Sequence, residues 1–411
     1  MKIKLTHKNN LYDDLVLALL FISLVLMFFG LNKYASSFML PASLMVFSKK
    51  KYHLSQIKPL YIIIFIGLFS SIYSNNFNNY YFFKDLVFFV QVPILITLGL
   101  YIGQRPLLLY RVIKMFIFFY LFFILFDLFK ISLFFDELLS NGIEFHDKYN
   151  TNNINAVLLF IILHFLNKKK STLFSKKYFH FSIIISVIYI LFSFSRTKII
   201  LLLLILVFIN INSKKKIILF YLILLAPIFV QLIGLYFNLE AKNNSDTGFL
   251  AKSFNSLNEL QIKSFDNQYD ITHNWRGFEA FLGFDKFLNG DQIQFLFGQG
   301  FGAFVEVPDW AFTDWRDSNL EGLKNIGIFH IGFITILVKS GIIGLLYFFY
   351  FLYYFFKKEN LLLFQNNLTQ ALIIVIIIST YLTHGLITPT LNPFLLIFLG
   401  ISLNDFKYNK S

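Results

Sequence analysis

Four short stretches hold the residues whose types and spacing could do chemistry. SFSRTK, residues 193–198, sets Arg196 and Lys198 in a turn between two apolar runs. A guanidinium there suits a phosphate-type anion, because its planar fork grips two oxygens at once. Two cations snorkelling to lipid headgroups would look the same. HNWRGFEAFLGFDKFL, residues 273–288, repeats Trp275, Phe278, Phe281 and Leu282 at helical spacing and leaves Arg276 on a second stripe with Ala280, Gly283 and Phe287. That spacing predicts a loop helix with Arg276 pointing away from its main apolar face. The plain alternative is a surface pair of Arg276 with Glu279, three residues on. FGQGFGAF, residues 297–304, alternates Gly298, Gly300 and Gly302. The spacing is wrong for a dinucleotide fingerprint and reads as a tight turn with close backbone approach. GIFHIGFITILVKSGIIGLL, residues 327–346, puts His330 where a polar segment enters an apolar run. Imidazole is the side chain best suited to general-base work near neutral pH, although a lone interfacial histidine is more simply a solvated one. His146, His273 and His384 fall on the same side, so residue type alone does not choose among them.

The elements that must position these residues follow from composition. The 411 residues are 57% hydrophobic and only 14% charged, against about 25% charged in soluble domains. The apolar residues fall in blocks long enough to cross a hydrocarbon core of about 30 Å. Breaks at charge, Asn and Pro predict helices over residues 15–31, 35–47, 59–73, 86–103, 112–134, 154–166, 178–194, 199–212, 217–237, 331–356, 369–383 and 390–403. The 56 Phe residues accompany abundant Ile, Asn and Lys, which reads as coding bias rather than a binding surface. With no cysteine, disulfides, thiolate metal sites and cysteine nucleophiles are excluded.

Lysine and arginine set the orientation. One set of loops holds Lys49, Lys50, Lys51, Arg105, Arg111, Lys168, Lys169, Lys170, Lys214, Lys215, Lys216, Lys357 and Lys358, with Lys2, Lys4 and Lys8 at the start and Lys407 and Lys410 at the end. The opposite loops hold few. The rich side is cytoplasmic, both termini lie inside, and about twelve crossings satisfy that. The net charge of +13 is then largely a topology signal, not one for nucleic acid. The organisation expected is nine transmembrane helices in 1–237, one long periplasmic loop in 238–330 carrying Trp275, Trp310 and Trp315, and three helices in 331–411. Mass concentrated in one loop usually marks where the work is done. Asp127 with Lys130, and Lys339, are the charges noted inside apolar runs. No internal repeat of the transporter kind is visible.

Taken in order, Ser195-Arg196, the long loop, Arg276 at a helix start, Gly298/Gly300/Gly302, His330, and the Gly341/Gly344 step resemble the O-antigen polymerase and O-antigen ligase family of bacterial surface-polysaccharide enzymes. The match covers about 190–350; the N-terminal half contributes topology only. The family often has Asn after the histidine, where this chain has Ile331.

The resemblance implies an all-α polytopic glycosyltransferase of the GT-C-like kind, in the bacterial inner membrane, with the loop of short helices periplasmic. It implies inverting, metal-independent transfer from an undecaprenyl-pyrophosphate-linked glycan, without a cofactor. Arg196 and Arg276 would hold the pyrophosphate, with Lys198 as a further anion ligand, and His330 would activate the acceptor hydroxyl. No D-x-D-like cluster lies beside these motifs, so arginines are the better candidates for stabilising the departing pyrophosphate. Expected partners are the lipid-linked glycans, the bilayer and a chain-length regulator protein, with no nucleic acid. The polymerase joins repeat units in lipopolysaccharide biosynthesis; a ligase would transfer the same donor to lipid A–core. The A/T-like composition favours the polymerase. A flippase would carry more charge in its membrane helices.

Overall fold

In a computed structural model the described residues are 11–29, 31–47, 57–77, 79–140, 155–168, 174–193, 195–237, 259–264, 270–271, 274–308, 325–357, 363–383, 385–387 and 393–403. Trp310, Trp315, His146, His273 and His384 lie outside them. Every one of the twelve apolar runs contains a helix: α1 (Leu11–Phe28), α2 (Asn32–Phe47), α3 (Lys58–Tyr73), α4 (Tyr80–Gly103), α5 (Pro106–Leu133), a short α6 (Phe135–Ser140), α7 (Asn155–Lys168), α8 (Lys176–Phe192), α9 (Arg196–Asn210) and α10 (Ser213–Phe237). The loop supplies α11 (Trp275–Leu288) and α12 (Gln292–Phe297), then α13 (Gly332–Lys357), α14 (Leu363–Leu382) and α15 (Pro393–Ser402) complete the set. Local chemistry marks the starts. The Asn79 side chain accepts the Phe82 N–H at 2.7 Å to cap α4, and Pro106 opens α5 where no N–H is needed. A two-residue antiparallel ladder, β1 (Val305–Glu306) with β2 (Asn325–Ile326), is the one departure from an all-α fold among the described residues.

The chain is a helical protein in which five helices, α1, α4, α5, α10 and α13, are long and apolar enough to cross a membrane. Its outer surface fits lipid rather than water. Phe65 is 71% exposed, Phe118 70% and Ile72 69%, a level of apolar exposure that water would penalise. The core runs through α15, all ten of whose residues are buried, and which meets α4 at Gly99 and Gly400.

The loop is bolted into this bundle by the glycine segment. Gln299 donates its N–H to the Val338 carbonyl at 2.8 Å, and Phe301 donates to the Gly67 carbonyl at 3.3 Å. From the other side, Ser70 Oγ donates to the Phe297 carbonyl at 2.7 Å and Asn76 Nδ2 to the Gln299 carbonyl at 2.9 Å. Phe301 is fully buried, with its ring 4.8 Å from that of Phe89. The docking meets a break in α13. Gly341 has φ 64° and ψ −168°, so the helix is interrupted between Ser340 and Ile342. Among apolar helices such a break is tolerated where protein satisfies the freed backbone groups, and here the Gln299 amide does so at Val338.

Gly300 is where the path has no alternative. Its φ is +83°, and a Cβ there would lie 2.1 Å from the Ser71 amide nitrogen. Gly300→Ala combines a left-handed backbone, about 1–2 kcal/mol for an L side chain, with a backbone collision. We expect the purified variant to be cut by protease in the loop at concentrations that leave the wild type intact. Equal resistance in the two proteins would show that this segment does not hold the loop.

Candidate functional site

The site begins with the way α11 lies. The face that packs inward is Gly277, Phe278, Glu279, Ala280, Gly283 and Phe287. This corrects the expected apolar face, since Gly283 and Phe287 belong to the stripe assigned to Arg276, while Phe281 and Leu282 are only half-buried. The reason is a close approach: a Cβ at Gly283 would meet Ile334 and Phe329 at 2.7 Å, so α11 seats itself against the entry to α13. One turn before Gly283, Glu279 then faces the same entry.

Glu279 is therefore not the surface partner of Arg276. Its side chain is 4% exposed, and Oε2 lies 2.5 Å from His330 Nδ1. The same oxygen accepts the His330 backbone N–H at 3.1 Å. A carboxylate on Nδ1 fixes the ring and favours the tautomer with its proton on Nδ1, which makes Nε2 the basic nitrogen. Two thirds of the His330 side chain is covered, with 34% exposed.

The two arginines meet at a third residue. Arg196 Nη2 lies 2.8 Å from Glu259 Oε2, and Arg276 Nε lies 3.6 Å from Glu259 Oε1. Arg196 comes from the first turn of α9, Arg276 from the first turn of α11, and Glu259 from the segment between them. The Gln231 side chain of α10 grips that segment at both ends. Its Nε2 donates to the Leu260 carbonyl at 2.8 Å, and its Oε1 accepts the Ile262 N–H at 2.9 Å. At Gly277 a Cβ would lie 2.0 Å from the Gln261 carbonyl oxygen, so only glycine lets the segment lie so close to α11.

Arg276 and Glu279 are three residues apart on one helix, which puts their Cβ atoms about 5–6 Å from each other. A short run of α11 thus joins the arginine pair to the Glu279–His330 pair. Arg196, Arg276 and His330, the three residues expected to share a site, are thus linked through Glu259, α11 and Glu279.

Lys198 does not join them. It is 2% exposed and points into the bundle, with its ammonium 5.0 Å from the centre of the Tyr189 ring. Only residues 193–195 separate α8 from α9, so two residues into α9 the side chain already faces α8 rather than the surface. Tyr189 donates its O–H to Asp127 Oδ2 at 3.1 Å, and Lys130 lies 3.5 Å from Asp127 Oδ1. Lys198 belongs to this interior cluster and is withdrawn as an anion ligand.

A second interior pair lies under the glycine segment. Lys339 Nζ is 2.5 Å from Asp85 Oδ2, and both side chains are fully buried. Gly302 donates its N–H to the same Asp85 oxygen at 2.8 Å, and Lys339 also donates to the Ala303 carbonyl. Asp85 was absent from the charges noted in the apolar runs. Its signal was available: YYFFKDLVFFV holds a carboxylate inside an apolar helix, and a buried Lys339 requires such a partner. Glu259 left no comparable signal, because it stands 63 residues from Arg196 in a stretch without periodicity.

Comparison with known proteins adds nothing to this geometry: no family model, no curated protein and no solved structure matches the chain.

Proposed function

We propose that this protein is a surface-polysaccharide polymerase that joins polyprenyl-pyrophosphate-linked repeat units on the outer face of the bacterial inner membrane. It would cross the membrane about twelve times, with both termini cytoplasmic, in a GT-C-like arrangement. The observation that carries the reading is the first turn of α11. It sets Arg276, paired with Arg196 through Glu259, one helical turn from the carboxylate that holds His330. An anion grip beside an oriented base is what glycosyl transfer from a pyrophosphate donor requires.

In this reading the acceptor hydroxyl gives its proton to His330 Nε2 as its oxygen attacks the anomeric carbon. The bond from that carbon to the pyrophosphate oxygen breaks on the opposite face, so configuration inverts. The leaving pyrophosphate takes the bonding electron pair, and Arg196 and Arg276 stabilise the charge it gains. Glu279 positions the imidazole and offsets the charge on the imidazolium that forms.

A transporter would also have buried charge and a broken helix. Here the break at Gly341 is filled by the docked glycine segment rather than lining a cavity, which favours the enzyme. The direct test is reconstitution in proteoliposomes with lipid-linked repeat units, reading chain length on a gel. Chains longer than one unit are expected. Vesicles that move the lipid across the bilayer without extending it would replace this reading with the transporter.

Arg276→Lys is expected to cut turnover by about tenfold or more with the thermal midpoint unchanged. A point-charge ammonium does not reproduce the two-pronged guanidinium grip. Wild-type chain lengths from the Lys variant would reduce Arg276 to a surface cation.

A further inference from the structure

Glu259 presents the arginines with a carboxylate in the form a ligand would take. One oxygen serves Arg196 and the other serves Arg276. The grip is uneven. At 2.8 Å the contact with Arg196 is a charge-assisted hydrogen bond, whereas 3.6 Å at Arg276 is an ion pair too long for one. The backbone beneath Glu259 is held by the Gln231 amide and by the close approach at Gly277, so the part able to yield is the side chain. It is 20% exposed, and the arginines are 25% and 30% exposed, so all three can be reached from the surface.

From this geometry we infer that Glu259 is a displaceable internal ligand of the Arg196–Arg276 pair, and that it sets the selectivity of the site for a lipid diphosphate over a lipid monophosphate. The inference rests on the polymerase reading of the same arginines. Two guanidinium groups and one carboxylate leave a net charge of one positive unit. An incoming anion must replace a partner that is covalently attached and therefore always nearby. A diphosphate brings two phosphoryl groups, one for each guanidinium, and repays both contacts. A monophosphate satisfies one arginine well and competes poorly with Glu259 for the other. The same carboxylate returns to the arginines as the spent polyprenyl pyrophosphate leaves, which keeps the product from occupying the site. Glu259 is thus a specificity-determining residue that touches neither the anomeric carbon nor the acceptor.

The test measures binding of polyprenyl diphosphate and polyprenyl monophosphate to the full-length protein in nanodiscs, for wild type, Glu259→Gln and Arg276→Ala. Wild type should prefer the diphosphate. Glu259→Gln removes the charge but keeps the shape, and should tighten the monophosphate by on the order of tenfold, the worth of one charge-assisted hydrogen bond. The diphosphate should gain less, so discrimination shrinks. Unchanged affinities, or weaker diphosphate binding in Glu259→Gln, would overturn the inference and make Glu259 a scaffold for the arginines. That result leaves the polymerase reading intact as long as Arg276→Ala loses the diphosphate. If Arg276→Ala binds the diphosphate like wild type, the anion site itself is misassigned, and the inference falls with it. Should Glu259→Gln not fold, Glu259→Asp carries the test. It is one methylene too short to span both arginines, and must shift selectivity in the same direction; wild-type selectivity in that variant refutes the proposal.

Discussion

His330→Ala is expected to lower the rate of chain extension by about 10²–10⁴-fold, the usual contribution of a positioned base, while donor binding and expression stay near wild type. The geometry explains why the loss should be confined to chemistry. Glu279 Oε2 holds His330 Nδ1 at 2.5 Å, so the ring is oriented by the protein before any acceptor arrives. Removing the ring leaves the buried carboxylate with the residue-330 backbone N–H at 3.1 Å, which limits the structural cost. Glu279→Gln should give an intermediate loss. The amide still reaches the ring, but it accepts the Nδ1 proton less strongly and carries no charge to balance the imidazolium. The assay is extension of lipid-linked repeat units by the three proteins in parallel, with the thermal midpoint measured on each sample. A His330→Ala protein that polymerises at the wild-type rate puts the base elsewhere. His384, in THGLITPT, is then the next residue to change.

The second large effect is on stability. Lys339→Met and Asp85→Asn should each destabilise the protein by about 3–5 kcal/mol, the range for breaking a buried ion pair by removing one partner. Both side chains are fully buried, and Asp85 Oδ1 already has no hydrogen-bond partner. In Lys339→Met the carboxylate keeps the Gly302 N–H but loses its direct cation, and the Ala303 carbonyl loses its ammonium. The double variant is the informative one. With both charges gone, neither is stranded, so it should be more stable than either single variant, giving a strongly favourable coupling. Thermal or denaturant unfolding in detergent reads all four proteins. Single variants within about 0.5 kcal/mol of wild type, the range for surface changes, would mean that Lys339 and Asp85 do not depend on each other.

Much of this fold could be read from the sequence, because apolar blocks are long-range statistics that need no knowledge of contacts. Each of the twelve runs contains a helix, and the described residues of the loop include short helices and the glycine turn. The site was legible only at its basic members. Arg196, Arg276 and His330 stand at the starts of α9, α11 and α13, where changes of pattern make them visible. Their partners were not, for two reasons. On α11 two apolar stripes overlap, and the choice between them is made by how closely Gly283 approaches α13, a contact invisible in one dimension. Glu259 is placed by Gln231 and Gly277, neither of which has any pattern relation to it. Lys198 was misread because two residues of helix rotate a side chain from the surface to the interior.

The docking of the glycine segment also sets the order in which the chain can be assembled. Ser70 bonds a carbonyl 227 residues further on, and Asp85 takes an amide 217 residues away. Contacts of such separation form late. Until the ribosome has made Lys339, the carboxylate of Asp85 sits in an apolar helix without its ion-pair partner. The loop must therefore fold back onto the helices before α3 and α4 reach their final packing, and a chain that stalls before that point carries a charged defect in its N-terminal half. Quality-control proteases would read it as unfinished, so the half-life of truncated chains should lengthen abruptly once they extend past α13.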